Sequence, residues 1–270
     1  MEVEKSTGIL MESLTLLSAG LNREVRVDFY LPVGGSRPED MSLLLINDGQ
    51  ELEKLGLPKI LGDLYEGDAI SPLLCAGIHA GADRKKEYGT VSTPDYLGRG
   101  AGAGAYTDFI FKDLIPQIHR QFNIAAFRDR AFAGFSLGAL SAMDIVWTHP
   151  QEFSRAGLFS GSFWWRTKDK TDPDYNERTD RIMHAQIRQG GYHPRLKFFF
   201  ECGTEDEQED RNSNGIIDSI DDTQDLIREL VAKGYDRAGD IRYLEIEGGR
   251  HDVPTWARAM PEFLQWGWGK

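Results

Sequence analysis

R-A-F-A-G-F-S-L-G-A-L-S-A-M, residues 130–143, decides how the rest of the chain is read. A short apolar run, Ala131 to Ala133, meets Gly134-Phe135-Ser136-Leu137-Gly138, and good helix formers follow. Strand, tight turn and helix, with a serine at the turn, is the setting of a G-x-S-x-G nucleophile elbow. Such a turn forces the serine into a strained backbone conformation and brings strand and helix very close. Side chains two before and two after the serine would collide, so glycine fits both places. The pentapeptide is a weak signal in a chain with 29 glycines. Ser136 becomes a candidate nucleophile only if the chain also supplies a base and an acid.

Working outward, residues 11–20 and 23–33 alternate apolar and polar around Asn22 and predict an antiparallel hairpin. Residues 42–47 (SLLLIN) are continuously apolar, as in a strand covered on both faces, and residues 70–78 repeat that character. Residues 51–66 are helix-capable but broken by Gly56 and Pro58. Residues 79–104 form a long irregular stretch, and 105–122 have helical periodicity with Pro116 set to kink it. Beyond the elbow, 137–148 predict a helix stopped by Pro150, 155–160 a strand, and 166–193 a loop or small helical insertion. Residues 196–202 predict a strand, 222–233 a helix, 240–247 a strand and 254–266 a helix. Apolar strands alternating with helices imply one α/β domain over 1–270, a mostly parallel sheet with helices on both faces.

In such sheets catalytic groups gather beyond the carboxyl ends of the strands. Ser136 follows one predicted strand, Asp206 another, and His251 the last. Serine, acid, histidine is the chain order of the α/β-hydrolases. His251 is placed to take the serine proton, and an acid after 196–202 would fix its tautomer and stabilise the imidazolium. Asp206 is the candidate, with Glu205 and Glu207 as its flanking alternatives. Charge on a tetrahedral oxyanion needs two preformed donors. The backbone N–H of Leu137 is one, and the loop after 42–47 places the other near Gln50.

With these residues assembled, the chain resembles the putative esterase family of the α/β-hydrolases, which includes enterochelin and siderophore esterases, feruloyl esterases, the esterase D group and mycolyltransferases. The resemblance runs over roughly residues 20 to 265. It is carried by LLLINDGQE at 43–51, RKKEY at 84–88, DYLGRG at 95–100 and AYTDFIFKDLIP at 105–116. It continues through GFSLGALSA at 134–142, FSGSFWW at 159–165, CGTED at 202–206 and GGRHDVPTW at 248–256. It implies the α/β-hydrolase fold and a serine carboxylic-ester hydrolase with Ser136 as nucleophile, Asp206 as acid, His251 as base, and Gln50 and Leu137 as oxyanion donors. It does not name the ester. Arg84, Trp164 and Trp165 are candidate substrate contacts; against this, the tryptophans would equally cap the core edge, and Arg84 would equally brace its loop through Glu87. The same residues would serve an acyltransferase, and a non-catalytic carbohydrate- or siderophore-binding module would keep the fold.

A second pattern is not required by that fold. Residues 210–221, DRNSNGIIDSID, match an EF-hand calcium loop at each position except the last. Asp210, Asn212 and Asn214 fall at positions 1, 3 and 5, Gly215 at 6, the Ile216 carbonyl at 7 and Asp218 at 9. Asp221 stands where a bidentate glutamate is usual. The expectation is a structural Ca2+ that stiffens the loop presenting Asp206, with no organic cofactor.

The net charge of −12 argues against nucleic acid and anionic membrane surfaces as partners but does not itself identify one; a small-molecule ester is the partner the resemblance implies. No apolar run approaches membrane-spanning length, and Met1–Lys5 lacks signal-peptide character, so the sequence as it stands predicts a cytoplasmic protein, or a periplasmic or secreted one if a leader has been trimmed. Cys75 and Cys202 lie in apolar strand-like runs and predict buried thiols. The oligomeric state is left open.

Overall fold

The structure, a computed structural model, describes residues 8–34 and 40–270; the Met1–Lys5 segment weighed above lies outside them. The strands are β1 (Ile9–Ser18), β2 (Arg23–Pro32), β3 (Ser42–Asn47), β4 (Leu73–Ile78), β5 (Arg130–Phe135), β6 (Arg155–Phe159), β7 (Lys197–Glu205) and β8 (Ile241–Arg250). The helices are α1 (Leu52–Leu55), α2 (Leu57–Glu66), α3 (Arg84–Glu87), α4 (Ala103–Asp108), α5 (Ile115–Phe122), α6 (Leu137–Thr148), α7 (Glu177–Asp180), α8 (Ile182–Gln189), α9 (Asp218–Lys233) and α10 (Val253–Trp268). One sheet runs β1-β2-β4-β3-β5-β6-β7-β8. β1, β2 and β4 pair antiparallel, and every pairing from β4 through β8 is parallel. This is the α/β-hydrolase architecture with the expected N-terminal hairpin.

The continuous apolar run in β3 has its explanation in the two cores. Leu43 and Leu45 enter one, Leu44 and Ile46 the other, and all four are fully buried. Helices α5, α6, α8 and α9 cover the first face, and α1, α2 and α10 the second. Both cysteine thiols are free and buried, as expected.

Several boundaries differ from the sequence reading for local reasons. β4 starts at Leu73 because Pro72 has no N–H to give a ladder; Ile70 makes only an isolated bridge to Gly269. The 105–122 helix is interrupted. A π-helical turn, Phe109–Leu114, precedes Pro116, which sits in the first turn of α5. The proline ring crowds the carbonyl of Lys112, and the widened turn absorbs it. β7 and β8 run three residues further than expected at their carboxyl ends, through a register shift between Gly203 and Glu205. The shift bends the paired strands where the acid loop departs.

β5 and α6 cross very closely. A Cβ on Gly134 would lie 2.3 Å from the carbonyl oxygen of Gly138. Backbone stands on the other side, so no rotamer change relieves the clash. We expect Gly134→Ala to lower stability by about 1–3 kcal/mol, measured from the urea midpoint; an unchanged midpoint would contradict the close packing of β5 on α6.

Candidate active site

Every parallel strand delivers its next residue to the same sheet edge. β3 leads into Asp48–Gln50, β5 into Ser136, β6 into Ser160, β7 into Asp206 and β8 into His251. Ser136 has φ 57° and ψ −121°, a conformation that costs a non-glycine residue about 1–3 kcal/mol. Four backbone hydrogen bonds hold it. Its N–H donates to Phe159 O at 2.9 Å, and its carbonyl accepts from Ala139 at 3.1 Å, Leu140 at 3.3 Å and Ser162 at 3.2 Å. Its Oγ lies 3.4 Å from Ser162 Oγ. Leu137 opens α6, so its N–H has no intrahelical acceptor and stands free beside the serine.

The facing loop is a single 3-10 turn, Gly49–Glu51, entered through Asp48 at φ 61°. The Gln50 side chain is occupied within the loop. Its Nε2 donates to Asp48 Oδ1 at 3.3 Å and its Oε1 accepts from Ala80 N–H at 3.0 Å. The backbone N–H of Gln50, in the first turn, is the group left to donate. Asn47 ties the loop to the elbow by donating from Nδ2 to Gly138 O at 2.8 Å.

Arg84 is where the sequence reading needs correction. Its partner is Asp48, 36 residues away, and not Glu87. Nε and Nη2 reach Oδ1 and Oδ2 at 2.6 and 2.7 Å, and Nη2 also lies 3.3 Å from Phe135 O. Glu87 instead receives the guanidinium of Arg23 at 2.7 Å. Arg84 thus bridges the Asp48 loop and the last residue of β5, while its edge lines the cleft over Ser136.

That cleft, about 470 Å³, brings together Ser136, His251, Gln50, Lys54, Arg84 and Trp256. His251 is the first residue past β8, with its ring edge-on to Trp256 at 5.6 Å between centroids. Its pKa is lowered, first by desolvation and then by the Arg84 guanidinium, while Asp206 opposes the shift. Asp206 is raised by burial, with His251 pulling the other way. Its flanking acids are drawn elsewhere: Glu205 pairs with Arg250 on the surface at 3.1 Å, and Glu207 accepts from the backbone of Ser219 in the first turn of α9. Among the described residues His251 makes no hydrogen bond to Ser136 or Asp206; such contacts commonly close only with substrate in place.

The two tryptophans do not line this cleft. Trp165 is fully buried, with its ring packed where Cβ atoms on Gly89 and Gly100 would come within 2.9 Å. It is a core residue, and the expected substrate contact through Trp165 is therefore corrected. Trp164 is half-buried under the Arg99 guanidinium, 4.9 Å from the ring centroid.

The 210–221 segment folds into a compact loop. Asp210 accepts from the N–H groups of Asn214 and Gly215 at 3.1 and 2.9 Å. Asn212 and Asn214 Oδ1 accept from Asn214 and Ile216 N–H, and both amides reach Asp221 Oδ2 at 2.8 Å. Asp218 departs from the expected ligand role, since its Oδ1 accepts from Arg211 N–H at 2.8 Å and lies 3.3 Å from the Arg211 guanidinium. Among the described residues no group of three or more His, Cys, Asp or Glu side chains is gathered as for a metal ion.

Four residues not singled out from sequence now belong to the site. Asp48 holds Arg84, Ser162 contacts the nucleophile, and Ser160 and Trp256 are joined by an Nε1–Oγ hydrogen bond of 2.9 Å beside the acid loop. Their signals were available only as an acid after β3, serines after β6, and an aromatic five residues past His251.

Comparison with known proteins agrees with this geometry. The family model described as "Putative esterase" matches residues 18–266. Uncharacterized protein YbbA of Bacillus subtilis is 24% identical over 252 residues, covering 91% of this chain and 93% of that protein. The siderophore hydrolase EstA of Aspergillus nidulans superposes with a TM-score of 0.72 at 16% identity, covering 98% of this chain and 97% of that one. The enterobactin esterase of Shigella flexneri superposes with a TM-score of 0.70 at 18% identity, covering 95% of this chain; the chain spans 58% of that enzyme's length. At these identities the two structures establish the fold.

Removing Arg84 would leave Asp48, only 4% exposed, as an unpaired buried charge. We expect Arg84→Met to cost about 3 kcal/mol, the low end for a buried pair because the Arg84 side chain keeps 29% exposure. Chemical denaturation reads this directly, and a cost indistinguishable from zero would show that Asp48 does not depend on Arg84.

Proposed function

The chain belongs to the putative esterase family and is an esterase by that membership; from this premise we propose that it hydrolyses a small-molecule carboxylic ester through an acyl-enzyme on Ser136, with His251 as base and Asp206 as acid. The observation that carries the proposal is Ser136 itself. It is held at a strained turn, with the free Leu137 N–H beside it and His251 in the same cleft.

The steps follow from the positions. His251 has a depressed pKa, so it is unprotonated at neutral pH and free to take the Ser136 proton. Oγ attacks the ester carbonyl, and the N–H groups of Leu137 and Gln50 receive the developing oxyanion. The imidazolium, stabilised by Asp206, returns its proton to the departing alkoxide. Water, deprotonated by His251, then releases the acid and restores the serine. The Arg84–Asp48 pair acts on both donors indirectly, by fixing the 48–50 loop against the end of β5.

A fluorophosphonate probe should label the protein, and Ser136→Ala should abolish the label and lower kcat by at least about 10³-fold. Assay against short acyl, feruloyl and siderophore-lactone esters identifies the substrate. A folded wild type that takes no label would overturn the proposal and favour a binding module.

We also propose that the 210–221 loop binds Ca2+ as a structural ion. Two carboxylates, two amide oxygens and the Ile216 carbonyl offer the hard oxygen donors such an ion takes, and Gly215 at φ 85° supplies the turn. The engagement of Asp218 by Arg211 counts against a full donor set. The loop starts four residues after Asp206, so an ion there would stiffen the segment that carries the acid, with no part in bond-breaking. Ca2+ at 100 times its dissociation constant would add about 2.7 kcal/mol. A chelator should therefore lower Tm and turnover together, and no change in either would sink the idea.

A further inference from the structure

Beneath the acid loop lies a second carboxyl group that the hydrolytic steps do not use. Glu201 sits within β7, its Cα paired with Phe159 on β6 and Leu244 on β8, and it is fully buried. Alternation along the strand puts it on the same face as Gly203. A Cβ on Gly203 would lie 2.7 Å from Asp206 Oδ1 and 2.4 Å from Gly249 O. The Asp206 carboxylate therefore folds back over β7, onto the face that carries Glu201.

The surroundings of this pair are poor in compensating charge. Both Asp206 oxygens and Glu201 Oε1 are buried and lie outside hydrogen-bond geometry, although the Ser160 hydroxyl is near enough to hold the Asp206 pKa down against burial. Glu201 Oε2 accepts from Ser160 Oγ at 3.5 Å, and Ser160 Oγ accepts from Trp256 Nε1. The residues paired with Glu201, Phe159 and Leu244, are apolar, and the next β8 residue on this face, Arg242, is taken by Glu262 of α10. From α10 comes Arg258, whose guanidinium is exposed and lies 3.4 Å from Glu247 O. Cys202, adjacent in β7, is a buried thiol. His251 and Asp252 face Asp206 from the β8 side. Two carboxylates cannot both ionise side by side in such a place.

We propose that Glu201 is a positioning residue for the triad acid: it keeps its proton, anchors the Ser160–Trp256 contact, and leaves the pair's single negative charge on Asp206, where it faces His251. This rests on the serine-esterase reading for its role in turnover, although the shared charge is a property of the folded protein alone. Burial, reinforced by Asp206, pushes the Glu201 pKa up to about 8. As pH rises through that value a second anion forms beside Asp206 and disturbs the acid.

The unfolded chain ionises Glu201 near its ordinary value of 4.5, while the folded chain keeps the proton to about 8. The unfolded state thus binds fewer protons between these values, so Glu201 erodes stability as pH rises through the window. Glu201→Gln, which cannot ionise, should melt progressively higher than wild type from about pH 5 to pH 8, and the gap should then level off. In turnover Glu201→Gln should keep kcat near wild type at pH 7 and remove a wild-type alkaline decline centred near pH 8. Glu201→Leu should lower kcat about 10- to 100-fold with little change in KM. A pH-independent melting gap, or an unaltered alkaline limb in Glu201→Gln, would overturn the proposal, and the melting comparison stands even if Glu201→Leu does not fold. If the wild type resists the fluorophosphonate probe, the esterase reading fails, while the melting comparison still decides where the proton sits.

Discussion

The close passage of β5 over α6 is the constraint on which the site depends. Two positions without a Cβ, Gly134 and Gly138, let the backbones approach, and the residue between them is driven to φ 57°. That conformation is unfavourable in isolation. It survives because neighbouring elements hold Ser136 from both sides, β6 through Phe159 and the segment after β6 through Ser162. The same crossing also sets the distance to the facing loop. A Cβ on Gly138 would lie 2.8 Å from Asp48 Oδ2, and its carbonyl is taken by Asn47. Ser136 and the 48–50 loop are thus registered to each other by backbone packing, before any side-chain chemistry is considered.

Charge is distributed unequally around this centre. On the oxyanion side, Asp48 is neutralised by a bidentate guanidinium and its loop has little reason to move. On the acid side no comparable cation among the described residues reaches the pair formed by Asp206 and Glu201. A fully paired acid would bind its own counterion and have less to give an imidazolium. With little besides the Ser160 hydroxyl and His251 to favour its charge, the buried Asp206 carboxylate has few competing partners, at a cost borne by the fold. The arrangement trades local stability for a carboxylate aimed at one target, as is common where catalytic groups need perturbed proton affinities.

Much of this was legible in the sequence, and the reasons are specific. The runs at 42–47 and 131–133 identify doubly covered strands because no other common element buries consecutive residues on alternating faces. Ser136, Asp206 and His251 stand out because each follows such a strand. Asp48 carries no local signal because its partner lies 36 residues away, whereas local patterning favours pairs three or four apart, such as Arg84 with Glu87. Trp165, after a strand, fits substrate contact and core-edge packing equally well from sequence. The two glycines that admit its ring, Gly89 and Gly100, belong to a distant loop.

Glu201 shows a more general point about reading strands. In F-F-F-E-C a lone carboxyl interrupts an apolar run, and periodicity assigns it to a covered face. A buried, unpaired glutamate is costly, so its presence signals either a hidden cation or a retained proton. Among the described residues no buried cation reaches Glu201: Arg258 is exposed, and the second carboxylate nearby makes ionisation harder still. The same alternation that defines the strand as a core element therefore places a proton store two residues from Gly203, over which the acid folds. The residues that build the sheet and those that set the charge of the site are, along β7, one continuous run.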